Sequence, residues 1–411
     1  MNANRQLVQE KLNQATQILN EVDIDCWIIF VRETSMQPDP ILEFIFGGDM
    51  TWHSAFILNK SGEHIALVGH YDAPNVVELD VYSEVIGYHE GISSHLIELL
   101  NRLDPQTIGL NYSEGDVSAD GLSHGLFLTL KRYLADTPYV DRFVSAEKAA
   151  AALRGRKSPT EIARVKAAVA TTEKVFDQIE TFVKPGMTQK EIATYVHSLV
   201  DGMGHDYSWP KAHNPIVTCG PHSAVGHASP GDVPLEPGHL LHIDLGIRQN
   251  DYSSDLQRMW YVLKEGETEA PAEVQHAFMT VAGAIQTGKT YLVPGKTGWE
   301  VDEVAREFVV DNGYPEYMHA FGHLVGRVAH DGGIVLGPRW ERYAGICDLP
   351  VEVGNIFALE LHVIVKDRGM MSLEENALVT EDGVEFLSTP QEKIRLIKSN
   401  PEKSRIHRMD E

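Results

Sequence analysis

The chain has 411 residues, 43% hydrophobic and 23% charged, with a formal net charge of −24. That length exceeds one ordinary hydrophobic core and fits a smaller and a larger domain. The negative balance, with no basic stripe, argues against nucleic acid and anionic membrane surfaces as partners, and no segment has the ~18–20 consecutive apolar residues that span a bilayer. Cys26, Cys219 and Cys347 are few, odd in number and far apart, so they form no metal or redox motif. With no basic segment leading into a long apolar stretch near the N-terminus, a cytoplasmic protein is expected. Residues 5–20 place Leu7, Leu12, Ala15 and Leu19 at helical spacing. Apolar runs follow at 26–31, 54–58 and 65–68, then helix-like patterns near 93–103 and 117–134. This alternation predicts a compact α/β domain over residues 1–150.

A boundary is expected in the alanine-rich, polar stretch that follows. Ser158, Pro159 and Glu161 form the pattern of a capping box with proline at the first helical position, so a helix should run from about 159 to 183. The second domain is expected over 151–395. It should hold a helix at 188–203, a strand at 214–219 and a turn from Pro234 to Gly238 before LLHIDLGIR. A hairpin turn at Gln249-Asn250-Asp251 leads into SSDLQRMWYVL. Helices near 271–291 and 298–311 come next, then strands near 354–365 and 371–380. Residues 396–411 read as a charged, mobile tail.

Five residues carry the chemistry: Asp244, Asp255, His323, Glu360 and Glu374. In LLHIDLGI, strand alternation sends Leu241, Ile243, Leu245 and Ile247 to one face and His242, Asp244 and Gly246 to the other. In IFALELHVIV, Phe357, Leu359, Leu361 and Val363 oppose Ala358, Glu360 and His362. An acid inside such an apolar strand is costly unless paired or ligated. One such acid is more often a buried ion-pair partner or an edge residue. Several of them, with a histidine in a Gly-flanked segment between, point to metal. Carboxylates and imidazole suit two divalent ions such as Mn²⁺, Zn²⁺, Co²⁺ or Fe²⁺. Alternation alone does not choose between Glu374 and Glu375.

The ordered set D-x10-D, then GH, then E, then E resembles the creatinase/prolidase/aminopeptidase P/methionine aminopeptidase family, the M24 metallopeptidases of pita-bread fold. The resemblance covers nearly the whole chain. It implies an α/β (α+β) protein, with a pita-bread catalytic domain preceded by a smaller creatinase-type N-terminal α/β domain. It also implies that Asp244 chelates one metal, Asp255 bridges both, His323 and Glu360 complete the shell of the other, and Glu374 bridges again. Proximity to the family's R-I-E-D segment selects Glu374 over Glu375. Mn²⁺ is the usual ion of this branch. His227 matches a histidine near the scissile bond, His330 one that approaches the substrate carbonyl, and His319 a further pocket histidine. Glu360 matches the group that takes the water proton and passes it to the leaving nitrogen. His222, His239 and His242 are left as structural. A homodimer is implied by the family alone.

Two departures bear on substrate. Prolidases and bacterial aminopeptidases P usually carry an arginine two residues before the last bridging glutamate, where it contacts a proline carboxylate; here that residue is Ser372. The family's E-P-G is replaced by Glu360-Leu361-His362. Arg327, between His323 and His330, is a candidate to supply the missing positive charge. The leading expectation is a dinuclear metal-dependent hydrolase that cleaves the N-terminal residue from Xaa-Pro peptides or dipeptides through a metal-bridging hydroxide. The alternative is a metal-dependent hydrolase of a non-peptide C–N bond in a small amide or amidine, creatinase-like or ectoine hydrolase-like. A non-catalytic binding module fits poorly, because no ligand of the set is lost.

Overall fold

The computed structural model describes residues 2–226, 228–343 and 345–399. The chain divides into two compact units between Thr160 and Glu161. The first contains β1 (Cys26–Val31), β2 (Ser54–Asn59), β3 (Ile65–Gly69), β4 (Glu84–Tyr88), β5 (Ile108–Leu110) and β6 (Phe143–Ser145) in one sheet of order β4-β3-β2-β1-β5-β6. Helices α1 (Asn2–Glu21), α2 (Leu42–Ile45), α3 (Ala73–Leu79), α4 (Ser93–Leu103), α5 (His124–Tyr133) and α6 (Glu147–Gly155) complete it. The run CWIIFV is buried throughout because both of its faces are covered. Trp27, Ile29 and Val31 join one apolar cluster with Leu12 and Leu19 of α1. Cys26, Ile28 and Phe30 join another with Leu96 and Leu100 of α4.

The second unit begins within α7 (Pro159–Phe182) and continues through α8 (Gln189–Met203), β7 (Asp206–Tyr207), β8 (Ile216–Cys219), β9 (Leu240–Leu245), β10 (Ile247–Gln249), β11 (Tyr252–Ser253) and β12 (Leu256–Val262). Helices α9 (Ala272–Tyr291) and α10 (Gly298–Asp311) follow, then β13 (Gly322–Leu324), β14 (Val335–Leu336), β15 (Ile356–Val365), β16 (Gly369–Thr380), β17 (Gly383–Phe386) and β18 (Arg395–Ile397). The main sheet runs β14-β13-β15-β16-β12-β9-β8, with β17 beside β16 and β18 beside β12. Leu359, Leu361 and Val363 of β15 lie in one apolar cluster with Val274, Phe278 and Val281 of α9 and with Val301 and Ala305 of α10. Each buried side chain of this size stabilises the fold by roughly 1.5–3 kcal/mol. That core fixes which face of the sheet is left for polar residues.

Local chemistry explains the strand breaks. Gly246 separates β9 from β10, and a Cβ there would lie 2.3 Å from the Trp209 ring and 2.7 Å from the Ser254 carbonyl oxygen. Asn250 and Asp251, at φ 51° and 64°, both occupy the left-handed region between β10 and β11. Short polar residues tolerate that conformation, and it suits the twist of a tight hairpin.

Two expectations need correction. The helix sought over 117–134 occupies only His124–Tyr133, because the Ser123 hydroxyl accepts from the Leu126 N–H and starts the helix there. The tail expected to be mobile from 396 begins instead in a strand. β12 is bridged to β16 at Gln257, and its later residues Trp260–Val262 pair in parallel with Arg395–Ile397. On that edge of β12, opposite the one paired with β9, the later backbone groups would otherwise lack partners. Residues 400–411 lie outside the described part of the chain.

Candidate metal centre

Strand register builds the site. Glu360 of β15 pairs with Glu374 of β16, Glu374 with Gln257 of β12, and Gln257 with Asp244 of β9. Three carboxylates thus fall in one line across four adjacent strands. Asp255 stands just before β12 and is held by Asn376. Its N–H donates to Asn376 Oδ1 at 3.1 Å, and its carbonyl accepts from Asn376 Nδ2 at 2.8 Å. His323 enters from β13, paired with Ala358 of β15. All five side chains line a cavity of about 430 Å³, which His330 and Trp209 also line. His323 Nε2 is 3.7 Å from Glu360 Oε1 and 3.9 Å from Asp255 Oδ2. Asp255, His323 and Glu374 each offer a ligand atom within 4.8 Å of the others.

This donor set fits cations. Four carboxylates converge, and among the described residues lining the cavity there is no lysine or arginine. Asp244 Oδ1 and Glu374 Oε2 are sealed from solvent and have no hydrogen-bond partner among the described residues. Buried anionic oxygens without donors are expensive unless a metal occupies them. Burial, reinforced by mutual repulsion, pushes the carboxyl groups of Asp244, Asp255 and Glu374 well above their ordinary range. Burial pushes His323 down to about 4, so its imidazole is neutral and able to ligate at neutral pH.

The neighbouring glutamate has a different fate. Glu375 is on the far side of β16 in a buried pair with Arg258, two bonds of 3.1 Å each, and also accepts from Ser388 and Gln391. Its oxygens are spent, whereas Glu374 keeps one free.

The profile of "Metallopeptidase family M24" matches residues 163–381, more than half of the chain. The chain belongs to metallopeptidase family M24. This M24 chain is 26% identical over 337 residues to an uncharacterized peptidase of Staphylococcus saprophyticus, covering 81% of this chain and 87% of that one. Its fold is similar to that of an Xaa-Pro dipeptidase from Bacillus anthracis, with a TM-score of 0.72, 21% identity, and 95% of this chain and 100% of that one covered. It is also similar to an X-Pro aminopeptidase from Thermotoga maritima, with a TM-score of 0.68, 22% identity, and coverage of 94% and 99%. The architecture is the pita-bread fold preceded by an N-terminal α/β domain.

The other candidates of this M24 chain are distributed unevenly. His319 and His330 both line a second cavity of about 420 Å³ that shares Asp244, His323 and Glu360 with the first. The His330 ring is 4.1 Å from that of His323. Arg327 is not brought to the described lining of either cavity; its guanidinium lies over the Tyr252 ring at 5.6 Å. His227 lies outside the described residues. His222 is exposed, and His239 lies 3.7 Å from Glu236.

Sequence reasoning missed a connected polar group beside the carboxylates. Gln257 Nε2 donates to Glu360 Oε2 at 2.7 Å, while Gln257 Oε1 accepts from His242 and from the Ser372 hydroxyl. His362, paired with Ser372 across β15 and β16, stacks on His319. Burial holds His242 and His362 near 4, so both are neutral. The available signal was alternation: His242 and His362 each lie two residues from a candidate ligand, on its face of the strand.

Proposed function

We propose that this chain is a dinuclear metal-dependent peptidase that removes the N-terminal residue from peptides with proline in second position. Asp244, Asp255, His323, Glu360 and Glu374 would hold the two ions, and manganese is the ion we assign. The observation that carries the reading is the pair of sealed oxygens on Asp244 and Glu374, unpartnered among the described residues, in a four-carboxylate cavity lined by no described lysine or arginine. The names of the similar structures, an Xaa-Pro dipeptidase and an X-Pro aminopeptidase, support the substrate.

When bound, such ions lower the pKa of a water toward neutrality and polarise the substrate carbonyl. The chain's own residues do the rest. Gln257 fixes one oxygen of Glu360, and the other, Oε1, faces His323. Held in this way, Glu360 accepts the proton of the attacking water and returns it to the leaving nitrogen. His330, on the wall of both cavities, presents its ring toward the carbonyl oxygen as charge develops there.

The test is hydrolysis of an Xaa-Pro dipeptide and an Xaa-Pro-Xaa tripeptide by manganese-loaded protein, beside a chelator-treated control. Chelator-sensitive release of the N-terminal residue is expected. Protein with two bound ions per chain that cleaves neither peptide refutes the reading. One observation favours a second reading, a small non-peptide C–N substrate: Ser372 offers a hydroxyl where a charged partner for a proline carboxylate would stand.

A further inference from the structure

The loop between Ser223 and Gly231 reaches the walls of both cavities, yet little of it is packed. Val225 and Gly226 line the second cavity. Ser229 Oγ lies 3.0 Å from Nδ1 of His213, which lines the first. None of the described residues from Pro221 to Pro230 is buried, and Val225 is 52% exposed. A segment with so few apolar contacts opens at little cost unless polar contacts hold it.

Those contacts stand at its base. The loop enters from β8, where Ser223 Oγ accepts from the Cys219 N–H at 2.7 Å and donates to the Cys219 carbonyl at 3.0 Å. It leaves along the start of α8. There the Lys190 N–H donates to the Gly231 carbonyl at 3.0 Å, and the Gln189 N–H to that of Val233 at 3.2 Å. Both are first-turn donors that the helix itself cannot satisfy. Thr188 and Glu191 close a capping box, which fixes the backbone at Gln189. The Gln189 side chain then joins the two legs. Its Nε2 donates to Ser223 Oγ at 2.9 Å, and its Oε1 accepts from the Gly231 N–H at 2.8 Å. Gln189 is 6% exposed, and an added Cβ at Gly231 would crowd its Oε1 at 3.2 Å. Gln189, Ser223 and Gly231 are not among the described residues lining either cavity.

We infer that Gln189 is a positioning residue: by joining Ser223 to Gly231 it closes the base of this loop and so sets where Val225 and Gly226 stand on the wall of the second cavity. It acts through the loop rather than on the reacting atoms. A loop released at its base samples more conformations, and only a fraction of them present that wall in its binding-competent place. Apparent affinity then falls by that fraction. Two neutral hydrogen bonds shift the closed-to-open ratio by roughly ten- to thirtyfold. The kinetic half of the test rests on the peptidase reading, and the exchange half does not.

The experiment compares the manganese-loaded wild type with two variants. Gln189→Leu keeps the volume and loses both bonds. Gln189→Glu supplies a carboxylate that accepts from the Gly231 N–H and from the Ser223 hydroxyl. Hydrogen exchange of the segment 221–231 and KM for the Xaa-Pro-Xaa tripeptide are measured together. In Gln189→Leu the segment should exchange faster and KM should rise, each by roughly ten- to thirtyfold, with kcat and manganese affinity within about twofold of wild type. Gln189→Glu should restore both. Exchange or KM of Gln189→Leu within about twofold of wild type overturns the inference, and so does a Gln189→Glu variant as impaired as Gln189→Leu. A wild type that cleaves no proline peptide sinks the peptidase reading, and exchange in the three proteins then decides the clamp by itself. If Gln189→Leu does not fold, Ser223→Ala, which removes the incoming partner alone, is measured in its place. A wild-type segment that exchanges as fast as a free peptide overturns the inference without any variant.

Discussion

Asn376 holds the backbone of Asp255 from two sides, and its removal gives a measurable account of how the site is kept in place. Asn376 is fully buried, as is the peptide it grips. In Asn376→Ala two hydrogen bonds disappear, each worth roughly 1 kcal/mol net, and the freed N–H and C=O add a penalty of about 1–3 kcal/mol each where they stay dry. Water entering the space left by the carboxamide would recover part of that. The expected loss is about 2–4 kcal/mol in urea unfolding of chelator-treated protein. Asp255 would also lose its alignment with His323 and Glu374. Partners that orient a ligand commonly contribute about 10–100-fold to metal affinity, so a chelator-competition titration should show a loss of that size. A variant destabilised by less than about 0.5 kcal/mol, with affinity within about twofold of wild type, would refute the reasoning.

Three further outcomes follow from the charges. In the metal-free protein Asp244, Asp255 and Glu374 have raised values, so the folded state holds protons that the unfolded state has released. Stability should therefore fall as pH rises through that range. Below the ordinary histidine value of 6.5, the neutral His242, His323 and His362, held near 4, act in the opposite sense. The two trends should thus oppose each other in thermal melts below pH 6.5, and manganese binding should release protons, measured by calorimetry in buffers of different ionisation enthalpy; no proton release, or a metal-free melt in which Asp244→Asn, Asp255→Asn and Glu374→Gln leave the pH dependence unchanged, contradicts it. Glu375→Gln strands the Arg258 guanidinium and should cost about 3–5 kcal/mol, with metal affinity of the folded fraction unchanged. Glu374→Gln should do the reverse, lowering metal content by plasma mass spectrometry without lowering metal-free stability; equal effects of the two on metal content would show that the paired glutamates are misassigned.

The legible part of this protein was the part written in periodicity. The strands around Asp244 and Glu360 alternate so regularly that both acids were visible as intrusions into apolar faces, and α7, α9 and α10 begin and end within a residue of the spans expected at 159–183, 271–291 and 298–311. Other features depend on partners distant in sequence. Glu374 and Glu375 are adjacent, and only the position of Arg258 on another strand separates their roles. His242 reads as structural until Gln257, fifteen residues away, is seen to fix its tautomer. β13 has three residues, too few for any period, and β18 exists because β12 needs backbone partners after it leaves β16. Arg327 looked like a replacement charge because of its spacing, but spacing does not show that its guanidinium is over Tyr252.

The hairpin of β15 and β16 sets Glu360 opposite Glu374, and two residues further along it sets His362 opposite Ser372. The two rows are separated by about 6.6–6.8 Å, the repeat of a pleated strand. One row belongs to the acids and the next to His362 and Ser372, on the wall of the second cavity. Mutation can therefore rewrite the second row while leaving the first in place, provided the turn at 366–368 keeps the register; a slip by one residue would turn both rows to the wrong face. The residues beside the acids can thus vary while the line of carboxylates across the strands is kept.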